Sequence, residues 1–395
     1  MLSDAFDKRI KRRVIARNWP FFVVTAPYVE DICGAELQRL FSPSEDSRGS
    51  AISVAKTSGG AAFEGKLTDL YRANLFLGTA NRILMRISEF KATGFGELSK
   101  KIGKTDWELF LPESCLLDIQ ATSRKSRLIN SDAIRERFLS VISEKTDITT
   151  GQKQTVYVRA VDDVFTVSLN SSGDILYKRG VKTAGGKAPI RETLARAILL
   201  KSGYEPGMVL CDPMTGSGAF AVEAAMMTGN IPPGWFRNFA FMDWPAFRNA
   251  AWEHMRKEAA PYVNRPDSPV VFSSDTDKAV IRTLENIKSE YGFESIQTRV
   301  LDFFDLSPGD MAKGKKGLVV LNPPYGLRLS GNMNTTAFYN EIFKKLSNDF
   351  KGWKAAIIYP EPYEAGRSGS SPLNLTKSPL FHGGLNLTLL NGIIR

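Results

Sequence analysis

The chain has 395 residues, 43% of them hydrophobic, and its apolar runs all fall short of the ~20 residues of a membrane-spanning helix, which predicts two or three globular domains. Two histidines and three widely separated cysteines (Cys33, Cys115 and Cys211) argue against a disulfide framework, a metal site and a serine–histidine hydrolase. The formal net charge is +10, and residues 1–200 contain 31 basic and 23 acidic side chains against 21 and 19 in residues 201–395, which favours a polyanion-binding first half over mere solubility.

The first half of the chain mixes helix-like and strand-like segments without regular alternation. Residues 8–17 contain six basic residues and no acidic one, which is typical of a solvated arm or a short basic helix. Further on, Gly59-Gly60 predicts a hairpin turn, and Ser131 is the predicted N-cap of a helix. This mixture predicts an α+β fold for about the first 170 residues.

From about residue 190 onward, strand-like and helix-like segments alternate in order. The predicted strands are 208–211, 270–273, 297–301, 318–321 and 354–359, and the predicted helices are 190–202, 220–228, 278–291 and 335–346. Repeated strand–helix units predict an α/β fold with a doubly wound parallel sheet. Near the end, Asn391-Gly392 between apolar stretches predicts a hairpin at the sheet edge.

A glycine loop follows the first strand of this alternating region, in "VLCDPMTGSGAFAVEAA". The strand ends in Asp212, and Gly216 and Gly218 let the backbone approach a ligand near the positive end of the next helix. The spacing lacks the third glycine of a dinucleotide loop and the Gly-Lys-Ser/Thr of a P-loop. An acid in first position favours a ligand with a cationic amino group over a phosphate.

Two further acids follow the next strands of the predicted sheet. Asp275 follows the second strand, where a carboxylate can accept both hydroxyls of a ribose, and Asp302 follows the third, where it can accept an adenine amine. Any single aspartate in such a position is more often a helix cap, and Asp277 and Asp305 are expected to face solvent or to cap helices.

The fourth strand ends abruptly in "NPPY", residues 322–325. Two prolines remove backbone donors and make the chain leave the sheet rigidly, so that carbonyl oxygens are left to accept hydrogen bonds. In an open α/β sheet, ligands bind outside the carboxyl ends of the strands. A stiff turn without a further role is the simpler alternative.

With "DPMTGSG" and "NPPY", the sequence resembles the class I S-adenosylmethionine-dependent methyltransferases, whose fold is Rossmann-like. The stretches "FFVVTAPYVEDICGAEL", "KAPIRETLARAIL" and "GNIPPGWFRNFAFMDWP" are similar to bacterial guanine-N2 RNA methyltransferases that act on 23S ribosomal RNA. The resemblance implies a ferredoxin-like segment at 19–65, a THUMP RNA-binding domain at 66–170 and a methyltransferase domain at 171–395. The basic extension at 1–18 departs from the family pattern. Some family members are fused to a second methyltransferase unit. This sequence shows motifs for one unit, so a single methylation is expected here.

The resemblance also implies roles for individual residues. The expected cofactor, S-adenosylmethionine, would be held by Asp212, Pro213, Met214, Thr215, Gly216, Ser217, Gly218, Asp275 and Asp302. The expected catalytic residues are Asn322, Pro323, Pro324 and Tyr325, with acceptors for an exocyclic amine and a ring that stacks on the base. RNA phosphates are expected on Arg124, Lys125, Arg127, Lys153 and Arg159. The predicted location is cytoplasmic, with RNA as partner and neither a metal nor a membrane.

Three other functions stay open at this point. A transfer-RNA guanine methyltransferase would have the same architecture. A DNA adenine methyltransferase shares "NPPY", although the THUMP-like first half argues against it. A non-catalytic RNA-binding protein would use the same fold as a platform, but the intact motifs argue against that.

Overall fold

The computed structural model describes residues 4–42, 52–181, 189–264, 266, 268–312, 314–324, 335–360 and 372–395. The chain forms two compact units. The N-terminal unit contains Met1–Thr25, Cys33–Leu176 and Arg237–Glu258, and the C-terminal unit contains Ala26–Ile32, Tyr177–Phe236 and Ala259–Arg395. This division is coarser than the four domain segments predicted from the sequence, and their boundaries stay predictions.

Within its described residues, the N-terminal unit contains a seven-stranded sheet in the order β2-β3-β1-β4-β7-β6-β5. The strands are β1 (Trp19–Val24), β2 (Val54–Thr57), β3 (Gly60–Gly65), β4 (Arg82–Lys91), β5 (Leu116–Arg124), β6 (Lys153–Val161) and β7 (Val164–Asn170). The helices are α1 (Asp4–Ile10), which continues as a π-helical turn at Lys11–Ile15, and α2 (Glu30–Phe41), α3 (Leu67–Phe76), α4 (Phe95–Gly103), α5 (Ser131–Ser143) and α8 (Asn249–Ala259). The predicted α+β class of this half is confirmed.

Local sequence explains how two of these elements begin. The β2–β3 hairpin pairs Thr57 with Gly60, and Gly59 has a φ of +82° in the turn, so the glycine pair marks the hairpin as predicted. The predicted N-cap of α5 is wrong by one residue. Oδ1 of Asn130 accepts hydrogen bonds from the backbone N–H of Asp132 and Ala133, and the helix begins at Ser131. Asparagine and serine cap equally well, and the backbone geometry decides between neighbours.

The segment Arg237–Glu258 belongs to the N-terminal unit, although it lies far along the chain. It is rich in aromatic residues. The ring of Phe241 stacks on Tyr71 at 4.5 Å between centroids, and Nε1 of Trp244 donates to Oε1 of Gln154 at 3.0 Å. Burial of these rings stabilises the return of the chain to the first unit.

Within its described residues, the C-terminal unit contains a second seven-stranded sheet in the order β10-β9-β8-β11-β12-β14-β13. Its strands are β8 (Leu210–Asp212), β9 (Val271–Asp275), β10 (Ile296–Val300), β11 (Leu318–Leu321), β12 (Lys354–Pro360), β13 (Thr376–His382) and β14 (Leu385–Ile393). Its helices are α6 (Glu192–Lys201), α7 (Ala219–Thr228), α9 (Lys278–Tyr291), α10 (Gly309–Ala312) and α11 (Thr335–Asp349). The strands from β10 to β12 are parallel, and β13 and β14 are antiparallel to their neighbours.

The order of the parallel strands positions a binding site. The chain builds outward from β8 through β9 to β10, and then crosses to β11 and β12 on the other side of β8. The carboxyl ends of β8 and β11 therefore meet at a topological switch point, where open α/β sheets bind ligands. Apolar cores cover both faces of the sheet, and β11 is fully buried. The predicted doubly wound sheet is confirmed.

The predicted hairpin turn at Asn391-Gly392 is wrong. Both residues lie inside β14, and the turn between β13 and β14 is formed by Gly383 and Gly384, with φ of +60° and +83°. Two consecutive positive φ angles suit the tight turns that match strand twist, and glycine reaches them without strain. Gly392 serves a different need, because a Cβ there would lie 3.2 Å from the side chain of Leu375.

Candidate active site

A cleft of about 640 Å³ opens at the switch point of the C-terminal sheet. Its lining comes from the last residue of β9 and from the segments that follow β8, β9, β10 and β11, together with Pro189 and Ile190. Of the predicted site residues, those lining the cleft are Pro213, Met214, Thr215, Gly216, Ser217, Asp275, Asp302, Asn322 and Pro324. The fold thus brings together residues that lie more than a hundred positions apart in the chain.

The glycine loop occupies one side of this cleft. Gly216 has a φ of +51° and nothing stands within 4 Å of where its Cβ would be, whereas a Cβ on Gly218, with φ of +79°, would lie 2.8 Å from the side chain of Leu284. Gly218 is the N-cap of α7, so the loop leads directly into the helix. Glycine at 216 leaves open space in the cleft, and glycine at 218 permits close packing of α7 against α9.

Asp212 lies behind the loop and is 1% exposed. Its Oδ2 accepts a hydrogen bond of 2.7 Å from the hydroxyl of Thr215, while Oδ1 is buried without a hydrogen-bond partner among the described residues. Burial raises the pKa of Asp212 to about 7. The bond from Thr215 and the backbone N–H of Ala221 oppose this shift, and the nearby carboxylate of Asp275 adds to it. A buried carboxyl oxygen without a partner fits a ligand that brings a cationic donor.

Asp275 ties the end of β9 to the glycine loop. Its Oδ2 accepts from the backbone N–H of Gly216 at 3.0 Å, and its Oδ1 accepts from the backbone N–H of Asp277 at 3.0 Å. Asp277 in turn caps α9 through its own side chain, as its position predicted. Each oxygen of Asp275 carries further lone pairs that hydroxyl donors in the cleft can reach.

Asp302 caps a short helix and also lines the cleft. Its Oδ1 accepts from the backbone N–H of Phe304 at 2.9 Å, which starts a short 3₁₀ helix at Phe303–Asp305. The adjoining rings form an apolar wall of the cleft that the sequence motifs did not indicate. They belong to Phe220, Phe303, Phe304 and Phe338. Phe304 is 39% exposed, a flat aromatic surface suited to a planar ring.

The elbow after β11 faces the same cleft. The half-buried side chains of Asn322 and Pro324 line it, and Pro323 between them is buried. Tyr325, the expected stacking residue, lies outside the described residues. The amide of Asn322 therefore stands at the cleft that the glycine loop and Asp275 also line, which is the arrangement needed for two ligands to meet.

The five residues expected to bind RNA phosphates lie in the N-terminal unit and are only partly brought together. Arg159 lies opposite Thr122 in the parallel pairing of β5 and β6, so Arg124, two residues further, shares its face of the sheet. Lys153 lies at the other end of β6, and its Nζ is 3.0 Å from Oδ2 of Asp118.

The remaining two lie in or just after the turn that follows β5. Lys125 has a φ of +50°, and Nε of the exposed Arg127 is 4.0 Å from Oδ2 of Asp163. Their roles in RNA binding stay predictions.

A buried ion network lies beside α7. Nε of Arg179 donates to Oε1 of Glu223 at 2.7 Å, and Nη1 of Arg196 lies 3.7 Å from Oε2 of the same carboxylate. Arg179 is 2% exposed and Glu223 is fully buried. The network joins the segment after residue 177 to α6 and α7, and no sequence motif indicated it.

The described part of the chain lacks both a membrane-spanning helix and a metal-binding cluster. It contains no helix with the length and apolar character needed to cross a bilayer. It also contains no group of three histidine, cysteine or acidic residues placed to hold a metal ion.

Two family models match parts of this chain. Residues 179–388 match the family described as "RMKL-like, methyltransferase domain", and residues 20–84 match the "RlmL ferredoxin-like domain". A "Ribosomal RNA large subunit methyltransferase K/L" from Syntrophotalea carbinolica is 32% identical over 388 residues, 94% of this chain and 53% of the relative. The chain thus spans about half the length of that relative.

Two further relatives have lengths closer to this chain. The "Putative RNA methyltransferase YpsC" of Bacillus subtilis is 31% identical over 296 residues, 72% of this chain and 76% of the relative. A crystal structure described as "a putative methyltransferase complexed with SAH" superposes with a TM-score of 0.80 at 26% identity and covers 96% of this chain and 99% of that one. SAH is S-adenosylhomocysteine, which agrees with the expected cofactor. The predicted methyltransferase fold is confirmed, and the chain belongs to the RMKL-like methyltransferase family.

Proposed function

We propose that this protein transfers a methyl group from S-adenosylmethionine to N2 of a guanine in RNA, with 23S ribosomal RNA as the favoured substrate. The observation that carries the proposal is that Asn322 lines the same cleft as the glycine loop and Asp275. The relative named for large-subunit ribosomal RNA covers 94% of this chain and supports the choice of substrate.

The residues around the cleft fit the proposed cofactor. When bound, it supplies a methyl group on a positively charged sulfur, which is a strong electrophile. The unpartnered Oδ1 of Asp212 would accept from its ammonium group, and Asp275 would accept from its ribose hydroxyls. The exposed face of Phe304 and the carboxylate of Asp302 would hold its adenine.

The elbow after β11 would position the nucleophile. The exocyclic amine of guanine is a weak nucleophile because its lone pair is delocalised into the ring. The side-chain oxygen of Asn322 and the backbone carbonyl of Pro323 would accept its two hydrogens, which favours a pyramidal nitrogen and stabilises the positive charge that develops there. These two oxygen atoms can stabilise the transition state without carrying a charge, because the sulfur leaves uncharged and the amine loses a proton to water after methyl transfer.

The RNA would reach this cleft with its target base unstacked. A base inside a helix exposes neither its face nor its amine fully, so a single-stranded or flipped guanine is required. The basic residues Arg124, Lys125, Arg127, Lys153 and Arg159 would hold phosphates without reading the sequence.

The test is transfer of label from tritiated cofactor to separate unmodified RNAs and DNA, followed by identification of the labelled nucleoside. The proposal expects N2-methylguanosine in 23S ribosomal RNA, and an Asp212→Asn variant serves as the blank. The same nucleoside in transfer RNA would change the substrate and keep the chemistry. Label on adenine N6, or no transfer to any nucleic acid, would overturn the proposal.

A further inference from the structure

One face of the seven-stranded sheet in the N-terminal unit, which we call the open face, has half-exposed side chains along its central strand. The central strand, β4, alternates between buried and half-exposed side chains: Ile83 and Met85 are 0% exposed, whereas Arg82, Leu84 and Arg86 are half-exposed. Successive side chains of a strand point to opposite faces. The two arginines therefore share the open face.

Residues from strands on both sides of β4 lie on this same face. Phe22 of β1 pairs directly with Leu84, and Arg86 pairs with Ser168, which in turn pairs with Tyr157 of β6. Directly paired residues have their side chains on the same side of a sheet. Phe22, Arg86 and Tyr157 thus lie along one surface, across four adjacent strands.

Each of the two arginines stacks on one of these rings. Cζ of Arg86 lies 4.9 Å from the ring centroid of Phe22, and Cζ of Arg82 lies 5.8 Å from that of Tyr157. Burial lowers the pKa of Arg86, and the nearby positive charge of Arg159 acts in the same direction against Glu89. The positive charges of Arg86 and Arg159 act on each other in this partly desolvated place, so the two side chains together attract an anion.

A groove borders the Tyr157 end of this surface. It has a volume of about 570 Å³. Its lining includes Tyr157, the amides of Gln120 and Asn238, and the charged residues Arg82, Lys153, Asp118, Asp174 and Asp243. This size lies within the roughly 300–1,000 Å³ of small-ligand sites. Carboxylate and amide groups beside a stacked ring suit the amino and imino groups on the edge of a nucleobase.

We propose that this open face binds a single-stranded segment of the RNA substrate, with bases stacked on Phe22–Arg86 and on Tyr157–Arg82 and one base in the groove. The inference deepens the proposed function and rests on it for the identity of the ligand. Charge supports it, because the basic residues on the face (Arg82, Arg86, Arg124, Lys153 and Arg159) outnumber the acidic ones (Glu64, Glu89 and Asp118). A duplex would present phosphates but no free base face, so the rings favour a single strand.

The test measures the affinity of the full chain for an unstructured, fluorescein-labelled RNA of about 20 nucleotides by fluorescence anisotropy. Phe22→Leu and Tyr157→Leu remove the rings and keep apolar side chains, and we expect each to weaken binding about tenfold. The matched control is Phe95→Leu, because Arg137 stacks on Phe95 at 5.9 Å in helices α4 and α5, away from the sheet. This control should bind as wild type.

A further variant distinguishes the loss of an RNA contact from a folding defect. Arg86→Gln leaves both rings in place and should also weaken binding, with a smaller dependence of affinity on salt. Thermal unfolding and S-adenosylhomocysteine affinity should be unchanged in all variants. Wild-type affinity in the Phe22 and Tyr157 variants, or equal competition by a duplex of the same sequence, would overturn the inference.

The outcomes separate this inference from the proposed function. If the variants bind RNA as wild type does and the wild type methylates guanine, the sheet-face inference fails and the proposed function stands. If the variants lose single-stranded RNA but no RNA is ever methylated, the surface stands and the proposed chemistry fails.

Discussion

The backbone N–H of Gly216 donates to Oδ2 of Asp275 at 3.0 Å, and this bond joins the loop after β8 to the end of β9. One carboxylate thus shapes the glycine loop and faces the cleft. An Asp275→Ala variant loses both this tether and the proposed acceptor for the ribose hydroxyls of the cofactor.

We expect Asp275→Ala to weaken the binding of S-adenosylhomocysteine by roughly 10- to 100-fold, since hydrogen bonds to charged groups contribute about 1.5–3 kcal/mol each. Isothermal titration calorimetry measures this directly. The control is Asp305→Asn, an exposed aspartate outside the cleft lining, which should bind as wild type. Equal affinity in the two variants would contradict the role of Asp275.

The buried carboxyl of Asp212 predicts a pH dependence of cofactor binding. Burial raises its pKa to about 7, so in the free protein it is mostly protonated below that pH and anionic above it. A cationic ammonium prefers the anion. Affinity for S-adenosylhomocysteine should therefore rise by about tenfold per pH unit from pH 5 towards 7, and then level off.

Binding below pH 7 should also release a proton from Asp212, which calorimetry detects as a dependence of the heat on the buffer. Asp212→Asn should bind weakly and with no pH dependence in this range, whereas Asp305→Asn should keep the wild-type profile. A flat wild-type profile between pH 5 and 7 would show that Asp212 does not meet the ammonium group.

The ion network at Glu223 predicts a large effect on stability away from the cleft. Glu223→Ala removes the carboxylate that accepts from Nε of the buried Arg179 at 2.7 Å, and breaking a buried pair from one side costs about 3–5 kcal/mol. Chemical denaturation measures the free energy of unfolding. Glu290→Ala, an exposed substitution on α9, is the control and should change it by less than about 0.5 kcal/mol. Similar values for the two variants would show that the network contributes little.

Much of the C-terminal fold follows from the sequence because parallel strands and crossover helices have distinct periodicities. The strands at 270–273 and 318–321 and the helix at 278–291 match β9, β11 and α9 closely. The predicted position of the last hairpin turn does not match the structure. Asn-Gly and Gly-Gly both permit tight turns, and only the pairing of the strands decides which of the two pairs forms the turn. The sequence carries no local signal for such pairing.

The candidate site shows the same limit. Motifs placed Asp275 and Asn322 at strand ends, and the fold brings both to one cleft. They did not indicate the wall formed by Phe304 and Phe338, because an aromatic residue in a helix or turn looks the same whether it packs in a core or lines a cleft. Nor could they show that Lys153 is paired with Asp118, since that contact depends on strand register.

The central claim is that Asn322 presents a neutral oxygen to the amine that receives the methyl group. The most direct measurement is single-turnover methyl transfer to unmodified 23S ribosomal RNA at saturating cofactor, with Asn322→Ala compared with wild type and with Asn286→Ala, an exposed substitution on α9. The account predicts that Asn322→Ala slows formation of N2-methylguanosine by at least about 100-fold and leaves cofactor affinity unchanged, while Asn286→Ala behaves as wild type. Wild-type turnover by the Asn322→Ala variant would contradict it.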